Sequence, residues 1–272
     1  MNESLLLGCG NLGRIILDGF LSNSMKISVY EKNQKIQKTL KKLNKRNLEI
    51  IDNLDGLKDK TFKYILLCVK PIDSLSLIKE INTKISTKFI FVSFVAGLET
   101  KKISETLKKN KVIRMMPNIL VEVGSSATGV YTKSPSKIFK KEISNNFSFF
   151  GFLEWLKEEE KMNFYTALYG GGPAYIFYFL EILNKISCKN GFSKKRSQLM
   201  VESLLHGTSK LIKNNSQNFS DIIEKVTSKG GTTEKAIEFM KKEKTYEKIN
   251  NGIRKASVRS KNITKLLNLE KL

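Results

Sequence analysis

The sequence predicts a doubly wound α/β domain with a parallel sheet, followed by an all-helical domain. Three observations predict this architecture. In the first half, short apolar strings alternate with amphipathic stretches; a glycine-rich turn joins the first string to the first amphipathic stretch; and from about residue 158 no convincing strand remains. A chain of 272 residues is long enough for two domains. We place them at residues 1–157 and 158–272.

Six apolar strings are predicted to be strands covered on both faces, because continuous runs of Leu, Ile, Val and Phe suit a buried parallel sheet. They are Ser4–Leu7, Ile27–Glu31, Leu48–Ile51, Tyr64–Val69, Phe89–Phe94 and Val112–Met116. The stretches between them are predicted to be helices at Asn11–Leu21, Gln34–Leu43, Ile72–Ile85 and Glu99–Lys109. Strands and helices alternating at this spacing indicate βαβ units. Pro71 is expected to break the chain into a loop after the fourth strand.

The second half is predicted to be helical throughout. The expected helices are Phe164–Lys189, Lys194–Lys213, Phe219–Val226 and Glu234–Lys255. Within the first of them, Tyr175–Ile186 is apolar nearly all round, which indicates a helix buried on most of its faces. In so short a C-terminal half, that much apolar helix favours burial against a second subunit. We therefore expect a homodimer, or a larger homo-oligomer built from dimers.

Composition bears on the location and the partners of the protein. The apolar runs fall short of the ~20 residues that cross a bilayer, and the start of the chain lacks the basic segment of a signal peptide. No membrane partner is therefore expected. The three cysteines form no CxxC pair, which argues against a disulfide framework and favours the cytoplasm.

The formal charge of +22 arises mainly from 42 lysines, against six arginines, scattered over every predicted helix. This distribution favours solvated helix faces over a nucleic-acid-binding surface, so no nucleic-acid partner is expected. The acidic run Glu158-Glu159-Glu160 has no histidine or cysteine near it in sequence. It is predicted to be a solvated helix start, and no metal site is expected.

The glycine-rich turn has the sequence Gly8-Cys9-Gly10-Asn11-Leu12-Gly13, which fits G-x-G-x-x-G between a strand and a helix. The first glycine permits a tight turn, the second lets the backbone approach a pyrophosphate, and the third allows close contact between helix and strand. Backbone N–H groups at the helix start then hold the phosphates. The pattern predicts a Rossmann domain that binds NADH or NADPH. We expect the cofactor to contact Gly8, Gly10, Asn11, Leu12 and Gly13.

The choice between NADH and NADPH depends on the end of the second predicted strand. Glu31 lies 18 residues after Gly13, near the position where an acid bonds the ribose 2′-hydroxyl of NAD. Its neighbour Lys32, or Lys35 one turn later, could instead meet the 2′-phosphate of NADP. Glu31 and Lys32 are both predicted to contact the cofactor. Because an acid facing a phosphate is unfavourable, the sequence leans towards NADH and leaves both cofactors open.

Five further stretches carry a resemblance to a known family. They are Cys68-Val69-Lys70-Pro71, Ala96-Gly97, Val112 to Asn118, Gly170 to Tyr175 and Val226 to Thr233. In this order and at these separations they are similar to the motifs of the pyrroline-5-carboxylate reductases, from Leu5 to about Met240. The resemblance implies reduction of the cyclic imine 1-pyrroline-5-carboxylate to L-proline with NAD(P)H, the last step of proline biosynthesis.

The resemblance also implies roles for individual residues. Cofactor contacts towards the nicotinamide are implied for Val69, Lys70, Pro71, Ala96, Gly97, Met116, Pro117 and Asn118. Substrate contacts are implied for Ser228, Gly230, Gly231, Thr232 and Thr233, whose backbone N–H groups at a helix start suit a carboxylate. Thr233 is the expected catalytic residue, bonding the imine nitrogen and supporting its protonation. The same string is also typical of a turn followed by an ordinary helix N-cap.

Three departures from the family pattern leave alternatives open. Gly171 stands where the family usually has serine, Lys229 where it often has proline, and Leu120 where proline is common. A reductase of a related cyclic imine, or a non-catalytic nucleotide-binding regulatory paralogue, are therefore the alternatives. A β-hydroxyacid dehydrogenase is disfavoured, because that chemistry needs a lysine on the long helix and Ala174–Asn184 contains no Lys or Arg.

Overall fold

The structure is a computed structural model that describes residues 3–58, 60–214 and 218–269. The chain forms two compact units. The first comprises the chain up to Pro173 together with the chain from Arg254 onwards, and the second comprises Ala174–Ile253. The last helix therefore begins in the second unit and ends in the first, which the sequence did not predict.

The first unit contains an eight-stranded sheet. Its strands are β1 (Ser4–Leu7), β2 (Ile27–Tyr30), β3 (Leu48–Ile51), β4 (Tyr64–Leu67), β5 (Ile90–Ser93), β6 (Lys111–Met116), β7 (Ser126–Tyr131) and β8 (Gly151–Trp155). Their order is β3-β2-β1-β4-β5-β6-β7-β8. The first six pair in parallel, β7 is antiparallel to β6, and β8 is parallel to β7. The predicted doubly wound α/β architecture is confirmed, with one antiparallel strand in a mostly parallel sheet.

Six helices of the first unit connect or flank these strands. They are α1 (Asn11–Ser22), α2 (Gln34–Lys41), α3 (Pro71–Lys84), α4 (Thr100–Thr106), α5 (Lys137–Asn146) and α6 (Lys161–Tyr165). The prediction of a loop at Pro71 was wrong, because Pro71 is the first residue of α3. Proline suits that position, since the N–H it lacks would have no partner within the helix.

Apolar side chains cover both faces of the sheet. In β1, Leu5 and Leu7 belong to one buried cluster, whereas Leu6 belongs to the cluster on the opposite face. Side chains of a strand point alternately to the two faces, so a strand covered on both sides must be apolar at every position. This requirement explains the continuous apolar strings from which the sheet was predicted.

The sequence did not predict β7, α5 or β8. The strand β7 has the sequence Ser-Ala-Thr-Gly-Val-Tyr, and its serine and threonine are buried polar residues rather than an apolar string. The edge strand β8 alternates between half-buried and exposed positions. Neither strand has the continuous apolar pattern of a doubly covered strand, and both lie at the end of the sheet where that pattern is not required.

The remaining helices are α7 (Gly172–Lys189), α8 (Lys194–Lys213), α9 (Phe219–Lys225), α10 (Thr232–Lys242) and α11 (Thr245–Leu269). The predicted helical half is confirmed, but two of its helices are broken. A π-helical turn, Thr166–Gly170, separates α6 from α7. Lys244, with a left-handed φ of 54°, separates α10 from α11. None of the helices in the described ranges has the length and apolar character needed to cross a membrane.

The burial expected for the apolar helix α7 is not found within the single chain. Phe177, Tyr178 and Phe179 are 54%, 65% and 52% exposed, and Pro173 is the helix residue that is buried. An exposed apolar surface of this kind marks an interaction site. The exposure therefore agrees with the expectation that a second subunit covers this helix.

Candidate active site

The predicted cofactor residues of the first unit lie along one edge of the sheet. Five strands, β1, β2, β4, β5 and β6, run in the same direction, and the predicted residues follow their carboxyl ends. In order along the chain, these residues are Gly8 to Gly13, Glu31 and Lys32, Val69 to Pro71, Ala96 and Gly97, and Met116 to Asn118. Ligands of open α/β sheets bind outside this edge, where the strand order reverses. The reversal here lies between β1 and β4.

Each glycine of the loop has a distinct reason to be glycine. Gly8 has a left-handed φ of 90°, and a Cβ there would lie 2.6 Å from Cγ1 of Val69. A Cβ on Gly13 would overlap the carbonyl oxygen of Gly8. At Gly10, by contrast, a Cβ would meet nothing within 4 Å. Packing of the protein thus accounts for Gly8 and Gly13, whereas Gly10 faces open space that a bound group could occupy.

The open space at Gly10 adjoins the start of α1. Gly10 is the N-cap of α1, and no side chain in the described part of the chain bonds the N–H groups of the first turn. Unpaired N–H groups and the positive end of the helix dipole bind phosphate. The residues present therefore fit the pyrophosphate of a dinucleotide.

A cavity of about 400 Å³ opens on the same side of the loop. Val69, Ile36 of α2 and Leu77 of α3 give it an apolar wall. Four charged side chains also line it, namely Glu31, Lys32, Lys70 and Asp73. An apolar wall with a few polar groups suits a nucleoside. A larger cavity, of about 710 Å³, lies along α4 and the end of β7 and includes no predicted site residue.

The two cysteines beside the loop are poor nucleophiles. Burial raises the pKa of the Cys9 thiol and of the Cys68 thiol to about 12. Both therefore stay protonated at neutral pH, and only a thiolate is an effective nucleophile. The three cysteines of the chain are all free. Covalent cysteine chemistry is thus disfavoured at this edge of the sheet.

Asn118 has a structural function that its sequence position did not reveal. Its Nδ2 donates to the carbonyl oxygen of Tyr169 (2.9 Å), and its Oδ1 accepts from the backbone N–H of Leu120 (2.9 Å). The side chain therefore fixes the π-helical turn above the end of β6. Met116, two residues earlier, is buried against Met162 and Tyr165. We conclude that Asn118 sets the shape of this end of the site.

Gly97 contacts the C-terminal helix. Its φ is +79°, and a Cβ there would lie 2.7 Å from Cγ2 of Ile263 and 2.9 Å from the backbone nitrogen of Thr264. Close to this contact in the chain, Thr264 and Ser260 donate to Oδ1 of the buried Asn163 (3.3 and 2.7 Å). Packing of α11 is thus sufficient to explain why residue 97 is a glycine.

The prediction that Glu158-Glu159-Glu160 is a solvated helix start was wrong for Glu159. Its carboxylate accepts from the backbone N–H and the hydroxyl of Thr100 (2.8 and 2.6 Å) and pairs with Nη1 of Arg114 (3.2 Å). The Arg114 side chain is fully buried, and burial lowers its pKa although Glu159 opposes that shift. No group of three or more His, Cys, Asp or Glu side chains placed to hold a metal occurs in the described part of the chain.

The predicted substrate loop lies in the second unit. Gly230 has a left-handed φ of 75°, and its N–H donates to Oε2 of Glu234 (2.7 Å). The helix α10 starts at Thr232 with Gly231 as its N-cap, and none of the described side chains caps the helix. The threonines therefore do not act as the helix cap. Thr232 and Thr233 are exposed, and neither hydroxyl has a hydrogen-bond partner among the described residues.

Several residues of the candidate site were not predicted. Ile36, Leu77 and Asp73 line the nucleoside cavity from helices, and Tyr169 anchors the π-helical turn. Ile36 and Leu77 look like ordinary core positions of amphipathic helices, so the sequence pattern does not distinguish them. Asp73 could have been predicted to line the cavity, because it is an acid in the first turn of a helix that directly follows a strand.

Comparisons with known proteins agree with this geometry. Residues 5–97 match the family model described as "NADP oxidoreductase coenzyme F420-dependent". Residues 159–263 match the model described as "Pyrroline-5-carboxylate reductase dimerisation". The match starts at the segment that includes Glu159 and extends into α11.

Several similar proteins are pyrroline carboxylate reductases. Pyrroline-5-carboxylate reductase from Staphylococcus aureus (strain COL) is 28% identical over 235 residues, covering 85% of this chain and 86% of that protein. The structure of the Coxiella burnetii pyrroline-5-carboxylate reductase superposes with a TM-score of 0.84 at 26% identity, covering 96% and 98% of the two chains. The Plasmodium falciparum pyrroline carboxylate reductase, solved with NADP bound, shares the fold at a TM-score of 0.83 and 23% identity, covering 97% and 98%.

The fold, the glycine loop and these matches define an oxidoreductase that joins a Rossmann domain to a helical dimerisation domain. Within this class, the chain is similar to the pyrroline-5-carboxylate reductases, whose dimerisation model it matches over residues 159–263.

Proposed function

We propose that the protein reduces 1-pyrroline-5-carboxylate to L-proline, with NADH or NADPH as the hydride donor. The observation that best supports this proposal is that one chain joins an open dinucleotide loop at Gly10 to the dimerisation domain of the pyrroline-5-carboxylate reductases. In the reaction the imine carbon gains a hydride and the nitrogen gains a proton. The C=N bond becomes a C–N bond, and the nicotinamide is oxidised.

The cofactor supplies the hydride, so the chain has to bind, orient and shield the reactants. The N–H groups at the start of α1 would hold the pyrophosphate, and Ile36 and Leu77 would cover the adenine. Asn118 would act indirectly, by fixing the π-helical turn. Each of these functions uses a group that the described structure already holds in position.

The substrate loop would hold the carboxylate and the imine nitrogen. The N–H groups of Thr232 and Thr233 begin α10, where the helix dipole favours an anion. The Ser228 hydroxyl is available beside them, whereas the N–H of Gly230 is bonded to Glu234. We assign to the Thr233 hydroxyl the hydrogen bond to the imine nitrogen, which supports the protonated form and makes the imine carbon a better hydride acceptor.

We propose further that the protein acts as a homodimer or a homo-oligomer of dimers. The exposed aromatic residues of α7 support this, because a dimerisation domain needs such a surface. A cytoplasmic location, predicted from the unpaired cysteines, stays a prediction.

The experiment that tests the function is direct. Purified protein is mixed with 1-pyrroline-5-carboxylate, and the loss of absorbance of NADH and of NADPH is followed in parallel. We expect oxidation with at least one cofactor and formation of proline in equal amount. If neither cofactor is oxidised although binding is measurable, the proposal is wrong, and a related imine or a regulatory function becomes the better hypothesis.

A further inference from the structure

Two backbone N–H groups hold the carboxylate of Glu31 at the edge of the nucleoside cavity. Oε2 accepts from the N–H of Cys9 (2.6 Å), and Oε1 accepts from the N–H of Asn33 (2.8 Å). The first donor belongs to the glycine loop and the second to the turn that follows β2. Because both oxygens are bonded, the carboxylate cannot rotate away without breaking a hydrogen bond on either side.

We propose that Glu31 makes the protein select NADH over NADPH. The proposal rests on the proposed function only in requiring a nicotinamide dinucleotide as the cofactor. An ionised carboxylate offers about four lone-pair positions, and the two N–H groups occupy two of them. The remaining positions can accept the 2′- and 3′-hydroxyls of the adenosine ribose. Glu31 would then recognise the unmodified ribose directly.

NADPH carries a phosphate in place of the 2′-hydroxyl, and this phosphate would face the fixed carboxylate. It brings nearly two negative charges and no donor for the lone pairs of Glu31. Asp73 also lines this cavity, but its side chain is exposed, so solvent screens its charge. The repulsion therefore comes from Glu31, and a ligand with a 2′-hydroxyl avoids it.

Lysines near the cavity oppose this selection. Lys32 and Lys70 line it, and Lys35 lines the adjoining cavity beyond Gly10 together with Arg14. All three lysines are exposed, so water and salt screen their charge and their long side chains lose entropy when they are ordered. Glu31 is already ordered by its two hydrogen bonds and pays no such cost. The fixed acid therefore outweighs the exposed lysines.

The test is calorimetric titration of the full-length protein with NADH and with NADPH, at the same ionic strength and with no pyrroline present. We expect the Kd of NADH to be lower by about tenfold or more, which corresponds to about 1.4 kcal/mol. Equal affinities, or tighter binding of NADPH, overturn the proposal. Failure to bind either nucleotide also overturns it, because the cavity would then not be a cofactor site.

Two variants ask whether Glu31 itself is responsible. In Glu31→Ser the charge is lost and space is gained, so we expect the affinity ratio to move towards NADPH by about tenfold or more. Glu31→Gln keeps the size of the side chain and should move the affinity ratio in the same direction. It replaces the serine variant in the test if that variant does not fold. Asp73→Asn is the matched control, since it removes one negative charge from the same cavity at a side chain that is exposed. Its ratio should change by less than about threefold. An equal shift in the control would assign the selection to net charge and would refute a specific role of Glu31.

Because these titrations need no substrate, they separate the two proposals. Selective binding of NADH without reduction of 1-pyrroline-5-carboxylate would refute the proposed reaction and leave the function of Glu31 intact. Reduction with NADH and NADPH at equal kcat/KM, together with equal affinities, would refute the selection by Glu31 and leave the proposed reaction intact.

Discussion

The guanidinium of Arg114, whose side chain has no exposed surface, forms an ion pair with Glu159 at 3.2 Å. The pair joins β6 to the segment before α6, and Glu159 also bonds the first residue of α4, Thr100. Nε and Nη2 of Arg114 have no hydrogen-bond partner among the residues that the structure describes. Glu159 therefore provides the charge compensation for a cation that water does not reach.

Removal of Glu159 should strongly destabilise the first unit. In Glu159→Ala a buried charge is left without its partner, and such changes cost about 3–5 kcal/mol of the free energy of unfolding. The control is Glu158→Ala, because Glu158 pairs with Lys161 at 3.5 Å on the surface and should cost less than about 1 kcal/mol. Urea denaturation at neutral pH measures both. Similar losses in the two variants would show that the buried ion pair contributes no more to the free energy of unfolding than the surface pair.

The glycine loop offers a pair of variants that separate stability from cofactor binding. In Gly13→Ala the new Cβ would overlap the carbonyl oxygen of Gly8, so the loop must shift and the free energy of unfolding should fall by about 1–3 kcal/mol. In Gly10→Ala the Cβ enters open space, so stability should change by less than about 1 kcal/mol. The Kd of the dinucleotide should nevertheless rise at least about tenfold. Thermal unfolding measures the change in stability, and calorimetry measures the change in Kd. Unchanged binding in Gly10→Ala would show that the pyrophosphate does not lie at Gly10.

Elements whose pattern lies in consecutive residues were predicted from the sequence, whereas contacts between residues far apart in the chain were not. The bounds of β1 and α8 were predicted correctly, since a buried strand and an amphipathic helix show their periods in consecutive residues. The edge strand β8 was not predicted, because its environment is not that of a doubly covered strand. Glu159 was predicted to be solvated, because its partner Arg114 lies 45 residues away in the chain. The glycine motif predicted the position of the cofactor loop, but the bonds that fix the Glu31 carboxylate became visible only in three dimensions.

The catalytic function of Thr233 predicts a change confined to turnover. Thr233→Val keeps the shape of the side chain and removes the hydroxyl, so kcat should fall by about 10²-fold or more. The Kd of the cofactor should remain within about twofold, since the predicted cofactor contacts all lie in the first unit. Thr232→Val is the matched control one residue earlier in α10, and it should retain most of the turnover. If both variants keep the wild-type kcat, the proposed imine hydrogen bond does not exist.

Self-association should depend on the exposed apolar face of α7. Light scattering at micromolar concentration should give at least twice the chain mass of 31.0 kDa. Phe177→Lys introduces a charge into this face, where Phe177 is 54% exposed in the single chain, and should shift the protein towards monomer. Ile138→Lys changes an 82% exposed apolar residue of the first unit and should leave the mass unaltered. A monomer for the unmodified protein would refute the proposed assembly.

The hydrogen bond between Asn118 and Tyr169 can be tested by a substitution that removes the donor and keeps the shape of the side chain. In Asn118→Asp the donor Nδ2 becomes a carboxylate oxygen that faces the carbonyl oxygen of Tyr169 at about the same place. The lost bond and the new repulsion should cost about 1–3 kcal/mol, and turnover should fall because the π-helical turn is no longer fixed. Asn146→Asp is a suitable control: Nδ2 of Asn146 donates to the Tyr64 hydroxyl, which can turn and donate to the new carboxylate instead. Chemical denaturation together with steady-state kinetics should therefore show a large effect at residue 118 and a small one at residue 146. Equal effects would mean that the turn does not depend on the Asn118 amide.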